Sequence, residues 1–303
     1  MSPLDGPSTS ARPLPISERG GWARDLIRPF YAGYYNHRHA KWAEVDDTSF
    51  VSFTFDDFPS SALNTGGKII AEMGATATFY ATSGPGSEEL YSKQDLETLL
   101  SQGHELGCHT HSHLRAGYVS GRAFERDVVR NISALERMAP GQRLRSFAYP
   151  FGSTNLRTQR RLSRYFTSGR GTVGGINRGR FDLNHLRANR VNSRLGNRRA
   201  LEELIDVAAN RGGWLLFYTH DVSSEPSQFG CTPRDLEALA SHAARSGAAL
   251  RPVGQVVASL GQEMLDSRAR SANVSRPSPD PDRTTRRSPR TAPSDSDHRG
   301  VDD

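Results

Sequence analysis

Short apolar runs alternate along the chain with stretches in which apolar residues recur at helical spacing. FVSFTF, TATFYAT, LRSFAYP and WLLFYTH have the length and the aromatic and β-branched content of buried strands. These runs and two weaker stretches predict strands at 50–55, 76–82, 144–150, 165–167, 186–191 and 214–220. Helical spacing predicts helices at 60–74, 93–101, 122–138, 199–210 and 233–246. The repeated alternation predicts a parallel α/β architecture, either a barrel or a doubly wound sheet.

The two ends of the chain differ in composition from this central part. Residues 1–20 and 265–303 are rich in Pro, Ser and Arg and poor in large apolar residues, so we expect both to be disordered. Residues 21–47 are rich in aromatic residues, and we interpret them as a lead-in segment that packs on the domain formed by 48–264. The alternative is that these aromatic rings form a stacking platform for sugars.

Charge and cysteine content exclude several classes of protein. The formal charge is +6, but the arginines are scattered among acidic residues and no nucleic-acid-binding motif is present, so we expect no nucleic-acid partner. Cys108 and Cys231 are too few for a disulfide framework; they are compatible with one pair or with reduced thiols. Neither a signal-peptide pattern nor a run of about 18 apolar residues is present, which favours a cytoplasmic protein without a membrane span. The oligomeric state stays open.

Two adjacent carboxylates, Asp56 and Asp57, directly follow the strand at 50–55. Like charges at this spacing repel each other unless a cation lies beside them. A solvated turn with a helix cap is the plain interpretation, since Asp favours both. A metal ion or a role in proton transfer explains the pair better.

Four histidines lie within ten residues, at positions 104, 109, 111 and 113. His109 and His113 are spaced i, i+4, so on a helical turn they would share one face and could bind one ion, as in zinc sites. His111 would lie on another face. A thiolate ligand from Cys108 is conceivable, but its neighbour His109 would point elsewhere.

Two further segments end predicted strands. Residues 147–152 close a strand with Pro150 and Gly152, a turn whose backbone amides can face a cleft. His220 ends the strand at 214–220 and, taken alone, is typical of a satisfied structural histidine. All four segments, however, follow predicted parallel strands, and α/β barrels place their active sites at that rim. Together they indicate a hydrolytic metal site.

The order TFDD, HTxSH, a strand–Pro–aromatic–Gly turn and LxxxTHD resembles the NodB-homology domain of polysaccharide deacetylases, carbohydrate esterase family 4. The resemblance covers about residues 48–260. It implies an α/β fold of the distorted (β/α) barrel type and a metal-dependent hydrolase. The implied substrate is an oligo- or polysaccharide containing N-acetylglucosamine, an acetylated amino sugar. The implied cofactor is a divalent metal, zinc first, with cobalt, nickel and manganese also acceptable to such ligands.

The same resemblance assigns roles to individual residues. It implies that Asp57, His109 and His113 bind the metal, that Asp56 is the catalytic base and that His220 is the general acid. By the same analogy, the backbone N–H of Phe151 donates to the oxyanion.

The chain departs from the family pattern at the third and fourth motifs. Family members commonly carry an arginine that holds the catalytic aspartate, whereas this chain has Ala148 in that motif. Arg187 or Arg190 is the candidate replacement. The aspartate that orients the acid histidine has no clear counterpart, and Asp182 is the candidate.

Two rival functions remain at this stage. One is an N-deformylase or amide hydrolase that acts on a non-carbohydrate substrate. The other is a catalytically silent carbohydrate-binding protein on the same fold, which would need neither Asp56 nor His220.

Overall fold

The computed structural model describes residues 41–262. The expected disordered ends, 1–20 and 265–303, and most of the lead-in segment 21–47 lie outside this range. Within it, the strands are β1 Trp42–Val45, β2 Ser49–Asp57, β3 Thr78–Ala81, β4 Glu105–Cys108, β5 Ser146–Ala148, β6 Ser168–Arg170, β7 Gly179–Asp182, β8 Asn189–Arg190, β9 Gly213–Thr219 and β10 Ala249–Leu250. The α-helices are α1 Lys68–Glu72, α2 Lys93–Ser101, α3 Gly121–Met138, α4 Leu156–Leu162, α5 Arg198–Arg211 and α6 Pro233–Arg245. A π-helical turn, Ala62–Gly67, leads into α1, and residues 253–262 are also helical.

The main sheet is parallel, with the strand order β6-β5-β4-β3-β2-β9-β8, and β10 pairs with the start of β2. Its two edges are joined by the segment 186–191. Leu186 donates its N–H to the Gly169 carbonyl of β6 and accepts from the Gly171 N–H, while β8 pairs with β9. This closure bends the sheet into a distorted barrel and confirms the predicted fold class. Of the two architectures that alternation allows, the barrel is the observed one.

The barrel interior changes from apolar to polar along the strands. Alternate residues of a strand point to the same face, so Phe50, Ser52, Thr54 and Asp56 of β2 form one row. Phe50 packs at the amino end with Trp214, beside the antiparallel pair β1–β7, whereas Asp56 lies at the carboxyl end. The opposite faces of the strands pack against the helices. The polar end of the interior is therefore the end at which chemistry can take place.

Most predicted elements are present with small shifts in their bounds. The helix predicted at 93–101 is α2, whose amino end is fixed by a reciprocal cap between Ser92 and Asp95. The strand predicted at 165–167 begins three residues later, as β6. No helix among residues 41–262 combines the length and apolar character needed to cross a bilayer. Both cysteines are buried and free, so they do not pair.

Candidate active site

The polar segments singled out in the sequence lie on one rim of the barrel. Asp56 and Asp57 end β2, His109 follows β4, Phe151 follows β5 and His220 follows β9. Since parallel strands of a barrel end on the same side, residues distant in sequence meet there.

Asp57, His109 and His113 form a compact triad whose potential ligand atoms all lie within 4.8 Å of one another. Asp57 Oδ1 lies 3.6 Å from His109 Nε2 and 3.4 Å from His113 Nε2. It is buried and has no hydrogen-bond partner among the described residues. His109 donates from Nδ1 to the Ala148 carbonyl over 2.8 Å, which leaves Nε2 unprotonated and free to bind an ion. Burial also lowers the pKa of His109 to about 4.

The geometry that joins His109 to His113 is a loop and not a helical turn, which corrects the i, i+4 interpretation. β4 ends at Cys108, and the backbone then takes positive φ angles at Thr110 (67°) and His113 (49°). Among residues 41–262, positive φ at non-glycine positions occurs in three more places, all at this rim: Asp57, Phe58 and Phe151. Each such conformation costs about 1–3 kcal/mol, and clusters of this kind are characteristic of functional sites.

Helix α3 holds this loop through two buried polar residues on its inner face. Asp127 Oδ2 accepts from the N–H groups of His111 and Ser112, both at 3.0 Å. Asn131 donates to the Ala81 carbonyl at 2.9 Å and to the Cys108 thiol at 3.2 Å. The backbone of His111 is therefore one of the points at which α3 fixes this loop. The signal available in the sequence was a pair of polar residues, four apart, on the apolar face of a helix.

The Cys108 thiol is not part of the triad. It is fully buried against Asn131, and burial raises its pKa to about 12. The thiol accepts from Asn131 and lies outside the group of potential ligand atoms.

The cation beside Asp56 is Arg170 of β6, which corrects the expectation that Arg187 or Arg190 would take this place. The Arg170 guanidinium is fully buried and donates from one terminal nitrogen to Asp56 Oδ1. Arg187 instead donates to the Gly174 carbonyl and Arg190 to the Gln228 carbonyl, both at 2.9 Å. Arg170 lies on the inner face of its strand, where its guanidinium reaches across the barrel. The sequence carried no signal for this beyond an arginine at the end of a strand.

Arg170 sets the charge state of Asp56. Burial by itself would raise the pKa of Asp56, but Arg170, followed by His109 and His220, holds this pKa below its ordinary value. The guanidinium is enclosed by two tyrosine rings, with its central carbon 5.3 Å from the centre of Tyr80 and 4.9 Å from that of Tyr218. A carboxylate that stays ionised near neutral pH is suited to accept a proton or to repel a second anion.

His220 faces the triad, but Asp182 does not orient it, contrary to the sequence-based expectation. His220 Nε2 lies 3.8 Å from Asp57 Oδ2, and its Nδ1 is buried without a hydrogen-bond partner among the described residues. Asp182 instead accepts from the N–H groups of Lys41 and Asn184, at 3.1 and 2.9 Å. The physical reason is topological, since Asp182 ends β7, which pairs with β1 outside the main sheet.

Two exposed aromatic rings flank the triad, and the sequence did not single out either as a contact surface. Phe151 is 54% exposed and lies 4.6 Å, centre to centre, from His113; Phe229 is 46% exposed and lies 5.4 Å from His220. Gly152, next to Phe151, has a φ of 62°, and a Cβ there would lie 2.0 Å from Thr172 Oγ1. Only glycine fits this turn, which presents the Phe151 ring and amide to the rim.

The family model for polysaccharide deacetylases covers residues 44–166. Among curated proteins, a gellan lyase from a Bacillus species is 28% identical over 135 residues, which are 45% of this chain and 5% of that protein's length. The chain thus spans a small fraction of this relative.

Solved structures share the fold. The peptidoglycan deacetylase PdaC from Bacillus subtilis aligns with a TM-score of 0.51 at 17% identity, over 75% of this chain and 98% of its own. The Xyl-CE4 domain of a xylanase from the hindgut metagenome of Trinervitermes trinervoides gives 0.51 at 16%, over 71% and 92%. A mutant of a CE4 family pseudoenzyme gives 0.50 at 13%, over 70% and 68%. At these identities the likeness concerns the fold alone.

Proposed function

We propose that the chain is a metal-dependent hydrolase that removes N-acetyl groups from an oligo- or polysaccharide containing N-acetylglucosamine, a proposal supported by the match of residues 44–166 to the family model for polysaccharide deacetylases. The observation that carries this proposal is the Asp57–His109–His113 triad beside an Asp56 carboxylate that Arg170 keeps ionised. The family acts on amide or ester bonds; the N-acetyl specificity is part of the proposal.

The donor set of the triad fits a divalent ion. One carboxylate and two imidazoles are ligands that zinc binds with an open position, and Asp57 Oδ1 is a buried oxygen without a partner among the described residues. Cobalt, nickel and manganese accept the same donors, so zinc is the first choice of several. When bound there, such an ion would lower the pKa of water and polarise the acetyl carbonyl.

The residues around the triad carry the proton transfers. Asp56 accepts a proton from the water that attacks the acetyl carbon, because Arg170 keeps its carboxylate ionised and oriented. His220, whose Nε2 lies 3.8 Å from Asp57 Oδ2, donates a proton to the departing amine. The backbone N–H of Phe151, in the turn after β5, donates to the oxyanion of the tetrahedral intermediate.

Both rival functions can be distinguished from this proposal by measuring what the protein releases from its substrate. A silent carbohydrate-binding protein has no use for a buried ion pair at the site, because burying Asp56 and Arg170 costs free energy that binding does not need. An N-deformylase would release formate. Acetate and formate release should therefore be measured together over chito-oligosaccharides and a panel of acylated amines.

We expect acetate release from N-acetylglucosamine hexamer, its loss in a chelator and its return with added zinc. Asp57→Ala and His113→Ala should lose bound metal, whereas His242→Gln, a histidine change on α6 distant in sequence, should retain it. Metal bound equally well by Asp57→Ala would refute the ligand assignment. Absence of acetate from every acetylated amine, with metal bound, would favour the binding protein.

A further inference from the structure

Positive charge is concentrated in one part of the chain. Residues 115–164 contain eleven arginines and three acidic residues, a formal charge of +8, although the whole chain carries +6. The remainder is therefore net negative. This segment comprises the loop after His113, helix α3, strand β5 and helix α4. Seven of these eleven arginines lie on the two helices α3 and α4.

Three arginines of α3 lie along one face of the helix. Arg122, Arg126 and Arg130 follow each other at intervals of four residues, and all three are exposed. None of them forms an ion pair with a carboxylate among residues 41–262. Together with Arg137 they line an open groove of about 890 Å³. We call this the α3 groove.

The acidic residues near the α3 groove are already engaged. Glu125 pairs with Arg161 of α4 at 2.5 Å and accepts from the Tyr165 hydroxyl at 3.1 Å. Asp127 is turned inward and holds the loop of His111. The charge of the exposed α3 arginines is therefore not neutralised from within the described part of the chain.

The positive surface begins at the mouth of the active site. The Arg115 guanidinium lies over the Phe151 ring at 4.2 Å, and that ring contacts His113. Tyr118 is 81% exposed and lies 5.5 Å from the same guanidinium, on the way to the start of α3 at Gly121. Asp127 links the two regions, since it lines the α3 groove and supports the triad loop.

We propose that the substrate is an acidic glycan, whose chain runs from the triad over Phe151 and Arg115 into the α3 groove and whose sugar carboxylates are bound by the arginines. This inference rests on the proposed deacetylase function and names its substrate class. Exposed aromatic rings stack on sugar rings, and guanidinium groups bind carboxylates through paired hydrogen bonds. A neutral glycan would gain nothing from unpaired arginines, whereas an acidic one is attracted by the whole positive face.

The test compares two hexasaccharides that offer acetylated amino sugars with and without acid groups. One is the neutral N-acetylglucosamine hexamer, and the other is heparosan hexasaccharide, in which every second sugar carries a carboxylate. Dissociation constants are measured by calorimetry with the Asp56→Asn protein, in which turnover is strongly reduced, and acetate release is measured with active protein.

The groove variant combines Arg122→Gln, Arg126→Gln and Arg130→Gln. The control combines Arg199→Gln, Arg234→Gln and Arg245→Gln, exposed positions on α5 and α6 that change the net charge equally. Heparosan should bind the parent protein roughly tenfold or more tightly than the neutral hexamer does, and this advantage should shrink in high salt. It should be lost in the groove variant and kept in the control, with the neutral hexamer unchanged in both. Circular dichroism confirms that each variant is folded.

Equal affinity for both sugars, or unchanged heparosan affinity in the groove variant, would overturn the proposal. So would tighter binding of a single-stranded oligonucleotide of matched charge, which would indicate a nucleic-acid surface. Acetate release from the neutral hexamer, combined with heparosan binding that does not depend on the groove, would leave the deacetylase standing and remove only the acidic glycan. Groove-dependent heparosan binding without acetate release from any acetylated amine would instead count against the deacetylase.

Discussion

Asp56 and Arg170 form a buried ion pair whose two members depend on each other. Both side chains are removed from water, and each is tolerated because the other is present. The two adjacent aspartates of β2 have different partners, since Asp57 faces the histidines while Asp56 faces the guanidinium. Adjacent residues with the same side chain thus receive different roles from their neighbours.

Asp56→Asn should leave metal binding intact and reduce kcat by about 10²–10⁴-fold, the usual contribution of a general base. The amide is nearly isosteric and cannot accept the proton. Metal content and kcat should be measured on the same preparation. Near-normal turnover in this variant would show that another group is the base.

Arg170→Met should destabilise the fold by about 3–5 kcal/mol at neutral pH, because it leaves Asp56 charged and unpaired in the interior. Arg170 holds the pKa of Asp56 low, so the pair stabilises the fold above the pKa that Asp56 has in the unfolded chain, and this contribution is lost as the pH falls through the lower folded value. In Arg170→Met the pKa of Asp56 should rise, and stability should increase on mild acidification. Urea unfolding at several pH values measures this. The double variant Arg170→Met with Asp56→Asn should recover much of the loss, and failure to recover would contradict the pairing.

At the scale of single elements, α3 serves both as a packing helix and as the support of the triad loop. Its apolar stripe was readable from the sequence, and its bounds were predicted to within one residue at the amino end. Its second role was not readable, because it depends on which loop Asp127 and Asn131 meet after the barrel has formed. The same holds for Arg170, whose partner is set by the parallel pairing of β5 with β6 and not by any local pattern.

Asp127→Ala should weaken metal binding about 10–100-fold while the helix content stays constant, because the loop that carries His113 loses its two hydrogen bonds to Asp127. Asp127→Asn retains an acceptor oxygen and should have a smaller effect. Zinc titration with a competing chelator measures the affinity. Glu136→Ala, an exposed acidic position on the same helix, is the control. Equal loss in the control would assign the effect to helix charge.

At the scale of the whole molecule, the candidate active site lies at one end of the barrel, and a cluster of hydrogen bonds that stabilises the fold lies at the other. The fold class and the location of the site at the carboxyl ends of the strands were predictable from sequence. Both follow from local patterns: the apolar strand runs, the adjoining carboxylates and the clustered histidines. The strained backbone at the rim was not predictable, since five non-glycine residues adopt angles that their own side chains disfavour. At the other end of the barrel, the half-buried Glu105 accepts from Thr78 Oγ1, Ser146 Oγ and the Gly254 N–H.

Glu105→Ala should lower the free energy of unfolding by about 1–3 kcal/mol, since the buried hydroxyls of Thr78 and Ser146 and the N–H of Gly254 lose their acceptor. Because this residue lies at the amino end of β4, kcat/KM for the neutral hexamer should stay within a factor of two, roughly the scatter of such measurements. Glu105→Gln should be less destabilising, as it keeps one acceptor. Chemical denaturation and steady-state kinetics on the two variants measure both effects. A large loss of activity in folded Glu105→Ala would contradict this division of labour.

The segment 186–191, which joins the two edges of the sheet, closes the barrel through a short junction. Leu186 forms two backbone hydrogen bonds there, with Gly169 and Gly171, whereas β2 and β9 share a seven-residue register. Local opening should therefore be easier at this junction than between β2 and β9, with faster amide hydrogen exchange at Gly171 and Leu186 than at Phe53 or Leu215. Arg170 lies on one side of the junction and Tyr218 on the other, and both face Asp56. Anything that binds across the rim would hold the junction closed and slow that exchange, so ligand occupancy could be followed at backbone amides that touch no ligand.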